Sequence, residues 1–143
     1  MTQPDNADPA HRLIAEYRAL PADSDRKREI ITELDDNTAA QPFLVSVLAD
    51  ASEYDLARVE CATVLRLWPP ADPDLRHRAG RALLAALNDP EEDLVRQYAA
   101  MALGPYASDD PAVAEALIAA GKSGEDPLVR ACARSALKEA GLA

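Results

Sequence analysis

The stretch "DPLVRACARSAL", Asp126 to Leu137, repeats the pattern of two earlier ones, "DLVRQYAAMAL" (Asp93 to Leu103) and "DLARVECATVL" (Asp55 to Leu65). Arg58, Arg96 and Arg130 share one position in the three copies. Three residues after each arginine stands Cys61, Ala99 or Ala133, six after stands Val64, Ala102 or Ala136, and seven after stands Leu65, Leu103 or Leu137. Small residues three apart lie on one side of a helix and let a neighbouring helix approach closely. The segments in front match as well. "LLAALNDP" (Leu83 to Pro90) precedes "LIAAGKSG" (Leu117 to Gly124) by the same interval that separates Arg96 from Arg130. "LVSVLAD" (Leu44 to Asp50) joins them once one residue is inserted in the turn. The unit is helix, acidic turn, helix, and self-similarity at this period marks a stack of helical hairpins.

Working outward, Asp-Pro pairs punctuate the chain at Asp8-Pro9, Asp72-Pro73, Asp89-Pro90, Asp110-Pro111 and Asp126-Pro127. The aspartate accepts from free first-turn N–H groups, and proline at the first helical position loses no hydrogen bond. Residues 1–8 read as a disordered tail. Helices are expected over about 9–20, with Leu13, Ile14, Tyr17 and Leu20 on one stripe, and over 23–36, with Ile30, Ile31 and Leu34 inward and "DRKRE" wet. Further helices are expected over about 40–50, 54–67, 73–88, 91–103, 111–120 (stopped by Gly121) and 127–140 (stopped by Gly141). "PFLVSVL" (Pro42 to Leu48) fits a buried helix as well as a strand. In the helix over 73–88 the core side is Leu75, Ala79, Leu83, Leu84 and Leu87. Eight helices with short connections form four antiparallel hairpins. They make one domain over 9–143, with a divergent cap hairpin at 9–38 and repeats at 40–68, 73–104 and 111–140.

The chain has 143 residues and a formal net charge of −10, with abundant alanine and few aromatics. That charge disfavours nucleic-acid backbones and anionic membranes, permits a basic protein partner, and also serves solubility. No stretch approaches the roughly 20 apolar residues of a membrane span, and "MTQPDNADPAH" lacks a basic-then-apolar signal pattern, so a cytoplasmic protein is expected. Cys61 and Cys132 fall inside apolar helical patterns and read as buried thiols in a reducing compartment. Partial exposure of Cys132 near Arg130 and Arg134 would instead lower its pKa and make it reactive.

The pattern resembles the HEAT-repeat family, particularly the short bacterial HEAT-like repeats also seen in phycobilin lyases. The carrying residues are Asp89, Val95-Arg96, Ala99 and Ala102-Leu103, and then Val129-Arg130, Ala133 and Ala136-Leu137; the first copy departs from it with Ala57 in place of the valine. The resemblance covers about residues 40–140. It implies an all-α fold, a right-handed α-α superhelix. It also implies that Arg58, Arg96 and Arg130 tie neighbouring repeats together through acidic turns or carbonyls. The other reading is a basic row that grips a ligand anion.

Stacked hairpins line their second helices along one face. Positions one, two and five after each arginine should point away from the core: Val59, Glu60 and Thr63; Gln97, Tyr98 and Met101; Ala131, Cys132 and Ser135. Tyr98 and Met101 suit a partner anchor, or simply cover the next helix. Arg66, Arg134 and Lys138 add positive charge near the far helix ends, where cations also suit the helix dipole. The turns carry nine carboxylates: Asp50, Glu53, Asp55, Asp89, Glu91, Glu92, Asp93, Glu125 and Asp126, relieved by Lys122. Stacked along one edge, they form an acidic ridge able to steer a basic protein, and helix capping explains the same residues.

No glycine-rich phosphate loop, CxxC or HExxH occurs. His11 and His77 are isolated in sequence, and the adjacent carboxylates of Glu91 to Asp93 diverge on a helix start. No catalytic residue, metal or cofactor is assigned. The expectation is a non-enzymatic interaction or scaffold module for a basic protein, a monomer or weak dimer, in one version an immunity-type inhibitor of a toxin or nuclease. The alternative, on the lyase resemblance, is a chromophore-attachment or small-ligand enzyme with Glu60 and Tyr98 as acid–base candidates. DNA binding of the HEAT-like glycosylase kind needs a basic concave track, and the charge has the wrong sign.

Overall fold

The computed structural model describes residues 9–123 and 125–142; the expected tail at 1–8 lies outside them. Among the described residues the regular structure is helical: α1 (Pro9–Ala19), α2 (Arg26–Glu33), α3 (Gln41–Ala49), α4 (Asp55–Leu67), α5 (Pro73–Leu87), α6 (Asp93–Ala102), α7 (Pro111–Ser123) and α8 (Pro127–Glu139). The ambiguous Pro42 to Leu48 segment is thus the helix α3, buried on most sides, as Phe43, Leu44, Val45, Val47 and Leu48 show.

Consecutive helices pair as hairpins, and the hairpins stack in two rows. The second helices α2, α4, α6 and α8 contact one another in order, and so do the first helices α3, α5 and α7. The chain is a helical solenoid. The first hairpin follows the same plan, with α2 packed on α4 and the Tyr17 ring edge-on to Phe43 of α3 at 5.1 Å. Between the rows lies a core of small and aliphatic side chains. Cys61, Ala99 and Ala133 are fully buried at the equivalent repeat position, and Leu65, Leu103 and Leu137 are buried below them. Leu75, Ala79, Leu83 and Leu87 face this core as expected, whereas Leu84 is only partly covered.

Aspartates start helices as their chemistry dictates. Asp72 accepts from the Leu75 amide at 2.9 Å, Asp110 from Ala112 at 3.1 Å and Asp126 from Leu128 at 2.8 Å. Asp89 departs from this. Its helix begins only at Asp93, and its Oδ1 instead closes the turn by accepting from the Glu91 and Glu92 amides at 2.8 and 3.0 Å. At the other end of the chain, Gly141 adopts φ 76°, the Leu142 amide donates to Leu137 O and the Gly141 amide to Lys138 O. This is a left-handed glycine stop.

Three expectations need correction. Gly121 does not stop α7, which continues to Ser123. The missing side chain instead admits α8: a Cβ there would meet Arg134 Cγ at 3.2 Å, and Arg134 Nε donates to Gly121 O at 3.0 Å. Val59 is buried rather than outward, as part of the core between the packed helices. Lys27, placed among wet residues, is only 5% exposed. Its ammonium lies 4.8 Å over the Tyr17 ring, donates to Ala22 O at 3.1 Å and pairs with Glu53 at 2.9 Å.

Candidate functional site

The repeated arginines are tied to turns. Arg58, 3% exposed, donates through Nε to Leu48 O at 3.1 Å and through Nη1 to Asp89 of the next turn at 2.9 Å. Arg96 donates to Asp89 O at 2.5 Å and pairs with Asp93, and Arg130 donates to Glu125 O at 3.3 Å. Lys27 makes the same two kinds of contact in the first hairpin, a carbonyl before its own helix and an acid of the next turn. The pattern missed it because lysine replaces the arginine and because Ile30 and exposed Glu33 stand where the later copies have small or buried residues. Of the three, Arg58 joins neighbouring repeats as expected, whereas the Arg96 contacts to Asp89 O and Asp93 and the Arg130 contact to Glu125 O lie within their own repeats, which corrects the expectation for those two.

The second-helix face is not uniform. Toward the N-terminal end it is closed by ion pairs. Arg28 of α2 donates to Glu60 of α4 at 3.2 and 3.1 Å, so Glu60 is neither a free docking acid nor a free proton donor. Thr63 is half-buried and returns its hydroxyl to Val59 O at 3.2 Å. Arg66 reaches across the end of α6 to Glu139 of α8 at 3.0 Å. Arg26 collects Glu16, Glu29 and Glu33 around it.

On α6 and α8 the face opens. Leu94 is 45% exposed, Tyr98 36% and Leu128 59%. Leu94 and Leu128 hold the same position in successive copies, and Tyr98 follows Leu94 by one helical turn. Met101 and Cys132, both half-buried, continue the two stripes, while Ala131 and Ser135 are exposed. Sequence periodicity did not single out Leu94 or Leu128, because in a helix's first turn an inward and an outward leucine look alike. Gln97 belongs to the link between repeats, its Nε2 donating to Asp126 at 3.1 Å. Arg134 is occupied by Gly121 O, and Lys138 is exposed at the far end.

The acidic edge divides in the same way. Asp89 is buried against Arg58, which together with the Glu91 amide holds its carboxyl below the ordinary range, so it is unavailable to a partner. Asp126 is half-buried, and its carboxyl is lowered by Gln97 and by the Leu128 amide. Glu91, Asp93 and Glu125 are exposed. Glu92 is pushed upward, first by the Asp55 carboxylate and further by Asp89 and Glu91, as expected for an edge whose negative charges face one another. Cys132 is raised by burial and by Asp126, the opposite of the lowering expected from nearby arginines. Cys61 is raised further by full burial.

Outside this face, Arg76 lies 5.4 Å over the Tyr106 ring and donates to Asp109 and to Pro105 O, beside a cavity of about 470 Å³ that His77 also lines. Tyr106 is a buried residue the helix pattern missed, because it lies in the connection between α6 and α7. Its hydroxyl donates to Leu65 O at 2.6 Å and its ring rests on Gly80. Among the described residues no group of three or more His, Cys, Asp and Glu is placed to hold a metal ion, and no helix is long and apolar enough to cross a membrane.

A family model of HEAT repeats matches residues 41–138. No match was found among curated proteins or among solved structures.

Proposed function

The chain belongs to the HEAT-repeat family, and on that premise we propose that it is a non-enzymatic interaction module that docks a basic protein on the open half of its second-helix face. One observation carries this reading: Leu94, Tyr98 and Leu128 stand exposed on the adjoining helices α6 and α8, before whose starts lie the exposed carboxylates of Glu91 and Glu125. Apolar side chains left in water cost free energy that a partner recovers, at about 1.5–3 kcal/mol for each large aliphatic fully covered. The acids steer a cationic partner into contact and select against an anionic one. In its finer form the reading is of an inhibitor or immunity-type protein that neutralises a basic toxin or nuclease, for which a small acidic module suits.

Capture from a native cell extract tests it. The wild-type chain is expected to retain an identified basic protein, and retention should fall as salt rises from about 0.05 to 0.5 M, because exposed charges are screened. The L94S/L128S variant replaces two exposed residues and should keep the helical circular dichroism while weakening capture at least about tenfold. Retention that is equal for the wild type and this variant would overturn the proposal.

A further inference from the structure

Two successive gaps between the acidic turns are filled differently. In the first, Arg58 crosses from its own hairpin to the next, held by the Leu48 carbonyl at the end of α3 and by the Asp89 carboxylate. In the second, Ser123 occupies the place that Asp89 holds one copy earlier and supplies no carboxylate. Arg96 therefore turns back to Asp89 O and Asp93 within its own repeat. Gln97 makes the link to Asp126 instead, and α5 and α7 pack less closely than α3 and α5. A cavity of about 530 Å³ is left between the repeats.

Leu87, Ala116, Ala119 and Val129 give this cavity apolar walls, and Glu125 and Asp126 lie at its rim. The C-terminal ends of α5 and α7 meet there, and helix C-termini carry partial negative charge. Of the charged side chains lining it, Asp89 is neutralised by Arg58, and Arg96 is paired with Asp93 while lying near enough to Asp126 to favour its ionised form. Neither Glu125 nor Asp126 is ion-paired among the described residues. Apolar walls suit an aliphatic stem, and the Glu125 and Asp126 carboxylates at the rim supply to a guanidinium head the negative charge that Ser123 does not.

We infer that this gap receives the side chain of an arginine from the partner. The inference rests on the proposed basic partner and adds the one residue type that the turn edge recognises. It differs from the leucine surface in the atoms used, so the two can fail separately.

The probe is N-acetyl-arginine methylamide, titrated to about 50 mM into the full-length ¹⁵N-labelled chain, since a single charge-assisted contact binds weakly. Saturable amide shifts are expected at Asn88, Arg96, Ala120, Ser123 and Asp126. The neutral citrulline analogue should bind at least about fivefold more weakly, because it lacks the charge. A119L, at an exposed position on the wall, should abolish the shifts by filling the gap. D126N keeps the capping oxygen and should weaken binding. Shifts spread evenly over every acidic turn without saturation, equal binding of the citrulline analogue, or unchanged binding to both variants would each overturn the inference. In those cases the L94S/L128S capture result would still stand or fall by itself.

Discussion

Asp89 shows how much one side chain does in a repeat. Its Oδ1 closes the turn onto the Glu91 and Glu92 amides, while its Oδ2 accepts from the Arg58 guanidinium arriving from the previous repeat at 2.9 Å. Both partners are nearly excluded from water. Removing one member of such a pair strands the other charge, so D89A should cost about 3 kcal/mol in urea unfolding at pH 7. The pH dependence has a definite sign. The folded carboxyl titrates below its ordinary range, held there first by Arg58. Its contribution is therefore complete above the unfolded value of about 4 and is lost as pH falls through the folded one. D89N should start less stable at neutral pH and decline less steeply than wild type below pH 4. Parallel declines of the two proteins would show that the pair does not carry this stability.

At the scale of the element, α6 is the informative helix because it ends early. α4 and α8 run on past it, and Arg66 and Glu139 meet over its C-terminus at 3.0 Å. Gly104 lies directly beneath: a Cβ there would come within 2.5 Å of Glu139 Oε1 and 3.2 Å of Ala136 O. The first contact is with the tip of a flexible side chain and the second with backbone. G104A should destabilise by about 1–3 kcal/mol, as overpacking does. G104A/E139A should recover part of that loss and leave the part owed to the Ala136 carbonyl, which a double-mutant cycle in urea separates. A neutral G104A would mean that α8 simply moves aside. Gly121 is a second case of a glycine placed for approach: the sequence marked it as a stop, but α7 passes through it, and its missing side chain leaves room for Arg134 of α8.

For the whole molecule, stability is distributed between neighbours, since each hairpin contacts chiefly the next. Lys27 ties the first hairpin to the second through Glu53 and is buried under that contact. K27A should speed amide exchange across α1 and α2, while protection in α5 to α8 stays within experimental error. Uniformly faster exchange would instead indicate a single cooperative core.

Helix positions, the repeat unit and the buried ladder of Cys61, Ala99 and Ala133 were legible from the sequence alone. Each depends on spacing along one helix, and local periodicity encodes on which side of its own axis a residue lies. The identity of the neighbour on that side is not local. Tertiary structure alone decided that Val59 is covered while Leu94 and Leu128 are bare, and that Glu60 is taken by Arg28. It likewise decided that Arg58 crosses to the next turn whereas Arg96 turns back. Equivalent residues in successive copies point the same way from their helices, but the length and approach of the adjacent helix determine whether each one meets protein or water.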